Sequence, residues 1–182
     1  MTGRGFAKWV STVLVLGATT SVASAAETSS VPPAPQPPKP IRSEIVNYDN
    51  WRLVCEEYAE PAKKTVCVGI LQIAKKETGE TLFTWNLGLG ADGAPVSTFV
   101  TLTGVSVAQG VELRVGSTPV RKVGFATCEP TQCVARAPID AALRKDLIEA
   151  DKAEITIHGS TGRNMKLELA LKGVDGVLAA IK

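Results

Sequence analysis

The stretch Leu82-Phe83-Thr84-Trp85-Asn86-Leu87-Gly88-Leu89 decides the fold. Phe83, Trp85 and Leu87 recur at every second position, the period that places side chains on one face of an extended strand. Working outward from it, the same kind of short run keeps returning between turn residues. Trp51, Leu53 and Cys55 alternate before it, and Val66, Val68, Ile70 and Leu71 follow them. After it come Phe99 to Thr103, Val111 to Val115, Val120 to Phe125, Cys133 to Ala137, Ala153 to His158 and Met165 to Leu171. The last two flank Gly159-Ser160-Thr161-Gly162-Arg163-Asn164, a hairpin loop by composition. Eight or nine strands from Ile45 onward predict a sandwich of two antiparallel sheets.

Two short helices interrupt this series. Asp140, behind Pro138, is a suitable N-cap for Ala141 to Glu149, where Leu143, Leu147 and Ile148 make one apolar face. Val174, Val177, Leu178 and Ile181 stand at helical spacing behind Gly173 and are expected to pack on the sandwich.

The chain opens with the features that export machinery reads. Arg4 and Lys8 give a positive start, Val10 to Ala18 an apolar stretch, and Ala23-Ser24-Ala25 a small-x-small cleavage pattern, so residues 1–25 read as a cleavable signal. The apolar stretch is too short for the roughly 20 residues of a membrane-spanning helix. Residues 26–44 read as a linker, because six of the ten residues from Val31 to Pro40 are proline and such a run favours extended polyproline II. The domain proper is expected over 45–182.

Export changes the charge argument. The full chain has 20 Lys plus Arg against 18 Asp plus Glu, and losing Arg4 and Lys8 leaves 18 against 18. A mature chain near neutrality gives no reason to expect nucleic acid or an anionic membrane as partner, and no stable membrane insertion is expected.

Cys55, Cys67, Cys128 and Cys133 make an even count, which in an exported chain reads as two disulfides. Three pairings are possible. Spacing favours the local one: Cys55 and Cys67 lie symmetrically about Pro61, as cross-strand neighbours of a hairpin would, and Cys128 and Cys133 flank the turn-like Glu129-Pro130-Thr131-Gln132. A thiolate zinc site would show closely paired knuckles, and these spacings lack them.

No motif commits the chain to a chemistry. Gly88-Leu89-Gly90-Ala91-Asp92-Gly93 has dinucleotide spacing, yet a strand-like segment follows where a helix is required. His158 is the only histidine, and strand alternation turns it outward beside Thr156 as an exposed residue at a loop. No G-x-S-x-G elbow occurs. Arg121 and Lys122, with Arg114 on the preceding strand and Arg136 on the following one, are candidates for a cationic binding stripe on the outer face. Trp51 and Trp85 read as core before they read as a sugar platform.

Taken in order, Trp51-x3-Cys55, Cys67, Leu102-Thr103-Gly104-Val105, Gln109-Gly110-Val111-x-Leu113, Phe125-x2-Cys128-x4-Cys133 and Leu169-x-Leu171-Lys172-Gly173 resemble the invasion-associated locus B family of alphaproteobacterial exported proteins. Thr103 departs from the proline that the family usually has before its glycine-valine turn. The resemblance implies an immunoglobulin-like sandwich with a periplasmic or outer-surface address, and no assigned catalytic residue. The expectation is a non-catalytic binding or adaptor protein of the cell envelope, without metal or cofactor, whose partner is an envelope or host-surface protein or glycan. The alternatives are a virulence factor acting directly in host-cell adhesion or invasion, and a hydrolase with an undetected carboxylate pair.

Overall fold

The computed structural model describes residues 38–59 and 62–181, so the expected signal, and the expected linker up to Pro37, lie outside the described residues, as does Pro61. The elements follow in the order β1 (Arg42–Tyr48), β2 (Trp51–Tyr58), β3 (Lys64–Ala74), β4 (Thr81–Leu89), β5 (Pro95–Leu102), β6 (Val111–Val115), β7 (Arg121–Val123), β8 (Phe125–Cys128), β9 (Gln132–Pro138), α1 (Ala141–Glu149), β10 (Lys152–His158), β11 (Asn164–Ala170) and α2 (Val174–Ala180). The strands form two antiparallel sheets. One has seven strands ordered β1-β2-β3-β4-β5-β9-β8, the other four ordered β11-β10-β6-β7. The chain is the mostly β, immunoglobulin-like sandwich with one internal and one terminal helix that strand spacing and family resemblance imply.

The alternation of β4 explains where the core sits. Phe83, Trp85 and Leu87 are each 0% exposed and meet Trp51, Leu53, Leu71 and Phe99 from neighbouring strands. Trp51 stands edge-on to Trp85 at a centroid distance of 5.5 Å, and Trp85 lies 5.3 Å from Phe99, a spacing that aromatic rings favour. The indole N–H of Trp85 donates to Ser97 Oγ at 2.6 Å. That of Trp51 is buried with no partner among the described residues. Both tryptophans are core, and neither offers a face to a sugar. Opposite them, the four-stranded sheet contributes Val111, Leu113, Val115, Ala153, Ile155, Ile157 and Leu169, all buried.

The disulfides join cross-strand neighbours. Cys55 pairs with Cys67 between β2 and β3, and Cys128 with Cys133 between β8 and β9, each pair sitting directly opposite in its ladder. The glycine-rich segment after β4 is the tip of the β4–β5 hairpin, closed by Gly90 N–H donating to the Ala94 carbonyl at 2.7 Å.

The helices close the core where the smaller sheet leaves it open. Asp140 Oδ1 accepts from the Leu143 N–H at 2.6 Å, capping α1, and Leu143 and Leu147 are buried. α2 packs against β1, β2, β3 and α1, burying Val174, Val177 and Leu178, with Ile181 buried just beyond its end. Its approach depends on glycine. Gly69 of β3 lies against Val177, where any Cβ would overlap that side chain, and Gly173 starts the helix at φ 89°, a left-handed conformation costly for other residues. Arg144 of α1 donates to the Leu178 carbonyl at 2.9 Å, satisfying an end group that the short helix leaves free.

Three features depart from the sequence reading. A separate strand, β1, precedes Trp51 and starts at Arg42, inside the segment that reads as linker: in Arg42-Ser43-Glu44-Ile45-Val46-Asn47-Tyr48 only Val46 and Tyr48 turn toward the core while Ile45 is 59% exposed, so no clean alternation marks it. The run Val120 to Phe125 is not one strand. It divides at Gly124, with β7 pairing to β6 in the smaller sheet and β8 pairing to β9 in the larger, because the chain turns the corner between sheets there. Ile148, placed on the apolar face of α1, is 49% exposed.

Candidate binding groove

The outward faces of β6, β10 and β11 build the candidate site. Strand alternation buries Val111, Leu113, Ile155 and Ile157 and turns the residues between them to the other side. Antiparallel register then sets Lys166, Thr156, Glu112 and Lys122 in one row across the sheet, and Glu168, Glu154 and Arg114 in the next. His158 and Asn164 close one end as a directly opposed pair. Together with Val120, all of these side chains except Lys122 line a depression of about 490 Å³. A second depression of about 470 Å³, between Gly116-Ser117-Thr118 and the end of α1, shares Glu154 with the first and is bordered by Asp146, Glu149, Asp151 and Lys152.

Charge in the groove is organised in pairs. Glu154 and Glu168 face each other across β10 and β11, an arrangement that costs stability unless each carboxylate finds a cation. Each does: Arg114 Nη1 lies 3.5 Å from Glu154 Oε2, and Lys152 Nζ lies 2.9 Å from Glu168 Oε2. The hydrogen bond to Glu168 holds the Lys152 ammonium above the ordinary lysine range. His158 Nε2 stands 3.3 Å from Glu112 Oε1. Its side chain is only 14% exposed, so it is a half-enclosed, partnered group and not the exposed loop histidine that the sequence suggested.

The four candidate cations do not form one stripe. Arg114 lines the groove and Lys122 lies beside it, opposite Glu112. Arg121 sits opposite the buried Leu113 and reaches α1, with Nη1 3.0 Å from Asp140 Oδ2 and Nη2 3.7 Å from Asp146 Oδ2. The Asp140 carboxyl is held below its usual range by the Leu143 N–H and then by Arg121. Arg136 lies on β9 opposite Thr98, in the other sheet. Adjacent residues of a strand face opposite ways, so Arg121 shares the side of the buried Leu113 while Lys122 shares the outer face with Glu112, and the sheet switch at Gly124 puts Arg136 in the other sheet. Glu112, Glu154, Thr156, Lys166 and Glu168 were missed because their grouping exists only once β11, β10 and β6 are placed side by side.

The arrangement is suited to holding a polar surface. Small-molecule pockets of this volume are mostly apolar with a few polar anchors, whereas this groove alternates carboxylates, cations, a hydroxyl, an amide and an imidazole. Among the described residues, no three His, Cys, Asp or Glu side chains converge as metal ligands, and no helix is long and apolar enough to cross a membrane.

Comparison with known proteins places the architecture. The chain is 24% identical over 136 residues to an invasion protein B homolog of Brucella abortus strain 2308, covering 74% of this chain and 77% of that protein. A homolog in Brucella abortus biovar 1 strain 9-941 matches to the same extent. The crystal structure of invasion associated protein B from Bartonella henselae superposes with a TM-score of 0.65 at 20% identity, covering 76% of this chain and 94% of that one, which shows a shared fold. The family model described as invasion associated locus B protein matches residues 51–182, from β2 to beyond α2, and the chain belongs to that family.

Proposed function

We propose that this chain is a non-catalytic binding or adaptor module of the cell envelope, working in the periplasm or at the outer surface, that takes up a protein or glycan partner in the groove on the outer face of the four-stranded sheet. The observation that carries the reading is the groove itself: a sheet face of about 490 Å³ concavity, lined by paired charges, with no residue of either helix in its lining. Two disulfides suit an oxidising compartment and the expected export of the chain. A glycosidase acid sits in apolar surroundings; Glu154 and Glu168 are instead 55% and 61% exposed and each lies against a cation, which supports binding over hydrolysis. The partner engages without a cofactor, through hydrogen bonds and charge-assisted contacts to Arg114, Thr156 and Lys166.

A second reading has a specific support. The Brucella relatives and the Bartonella structure carry invasion in their names, which favours a partner on a host cell over one in the bacterium's own envelope. The experiment for both is in vivo crosslinking from a photoreactive residue at Thr156, with Thr98 on the outer face of the other sheet as control. Capture of a defined protein or glycan from Thr156 alone supports the groove, and its source, bacterium or host cell, separates the two readings. Equal capture from both positions would refute the groove as the docking surface.

A further inference from the structure

Among the described residues the two sheets have four edge strands, β1, β8, β11 and β7, and unpaired edges attract other strands unless they are blunted. Three are. β7 has three residues, β8 has four and an irregular register between Phe125 and Thr127, and β11 carries Lys166 as its third residue. β1 is different. It runs for seven residues in unbroken register with β2, contains neither proline nor lysine, and carries Ile45 at 59% exposure, with Ile41 at 63% just before the strand.

We propose that β1 pairs antiparallel with β1 of a second copy of this chain, about a two-fold axis through Ser43, joining the two large sheets into one. Self-pairing in this register answers the exposed groups from Ile41 to Ile45. Ile41 of one copy faces Ile45 of the other on the outer side of the sheet, and the relation repeats by symmetry. On the other side Arg42 faces Glu44 of the partner copy, again twice; within one chain these two side chains are 71% and 62% exposed and only loosely associated, at 3.8 Å. Directly opposed opposite charges and apolar pairs are what stabilise adjacent strands. Pro40, with no N–H to give, ends the pairing, and the two-fold closes it, so that the result is a dimer and not a fibre. The groove on the four-stranded sheet stays open in both copies, since β1 belongs to the other sheet.

Sedimentation of the purified chain over a concentration series tests this, with urea unfolding confirming that each variant is folded. The expected result is a monomer–dimer equilibrium. Glu44→Arg and Arg42→Glu alone each place like charges opposite and raise the dimer dissociation constant by about tenfold or more, while the double exchange Arg42→Glu/Glu44→Arg restores it. Ser43→Cys, opposite its own copy, gives a covalent dimer on non-reducing gels, and Asn47→Cys does not. A monomer throughout the series overturns the proposal and leaves the edge to another strand. A dimer indifferent to both single exchanges, or one that the double exchange fails to restore, overturns it as well.

Discussion

The two faces of the four-stranded sheet are made by the same strands and obey opposite rules. In β6, Val111, Leu113 and Val115 are 0–1% exposed while Glu112 and Arg114 between them face solvent. In β10, Ala153, Ile155 and Ile157 are buried while Glu154, Thr156 and His158 stand on the groove. The inner face is specified by volume and hydrophobicity, which any sequence of the fold must satisfy. The outer face is free of that demand, so its mixture of charges is set by something other than the core.

The contrast breaks most visibly at Leu113. Leu113→Ala removes a wholly buried side chain at the sheet interface and is expected to cost about 2–5 kcal/mol in urea unfolding, whereas Arg114→Ala, its neighbour, leaves the midpoint almost unmoved. Comparable losses from the two would mean that the outer face is structural.

Packing density sharpens the same contrast from the α2 side. Gly69→Ala drives a methyl group into Val177 and should cost about 1–3 kcal/mol. Val177→Ala in that background vacates the space, so the double variant is more stable than the two single losses combined predict. Additive losses would place the strain elsewhere.

The buried aromatics are themselves unequal. Trp85→Phe leaves Ser97 Oγ without its indole donor in the core, while Trp51→Phe deletes a buried N–H that had no partner. Leaving a polar group unsatisfied costs about 1–3 kcal/mol, so Trp85→Phe is expected to be the more destabilising of the two by calorimetry. The reverse order would show that the Trp51 N–H is satisfied.

Strand alternation made most of this legible in advance. The central runs, both helices and the local cysteine pairing could be read because Phe83-x-Trp85-x-Leu87 and its counterparts state their inner face, Asp140 and Gly173 punctuate the helices, and hairpin symmetry about Pro61 brings Cys55 to Cys67. β1 was hidden because an edge strand with little to bury lacks the pattern, and the sheet switch at Gly124 was hidden because Val123 and Phe125 keep an unbroken period on either side of it. The groove was illegible for a different reason. Outward residues can be recognised strand by strand, but nothing local says that β10 lies between β11 and β6, so Glu154 could not be set between Glu168 and Arg114.

Acid should expose the smallest effect. Asp140 has a carboxyl held below its ordinary range by the Leu143 N–H and by Arg121. A depressed folded-state value means that its ionisation stabilises the fold above the unfolded carboxylate range and that this contribution fades as pH falls through the folded-state value. Asp140→Asn keeps a cap oxygen and loses the charge, so wild type should exceed it in stability at neutral pH, with the gap closing in acid. A gap independent of pH would assign the role to the cap alone.

The most direct measurement joins stability and partner capture in one variant. Arg114→Glu combined with Glu168→Lys reverses the charge order of the groove without touching the buried face. The predicted result is a urea midpoint close to wild type together with loss of the crosslinked partner from position 156. Undiminished capture by that folded variant would contradict the account.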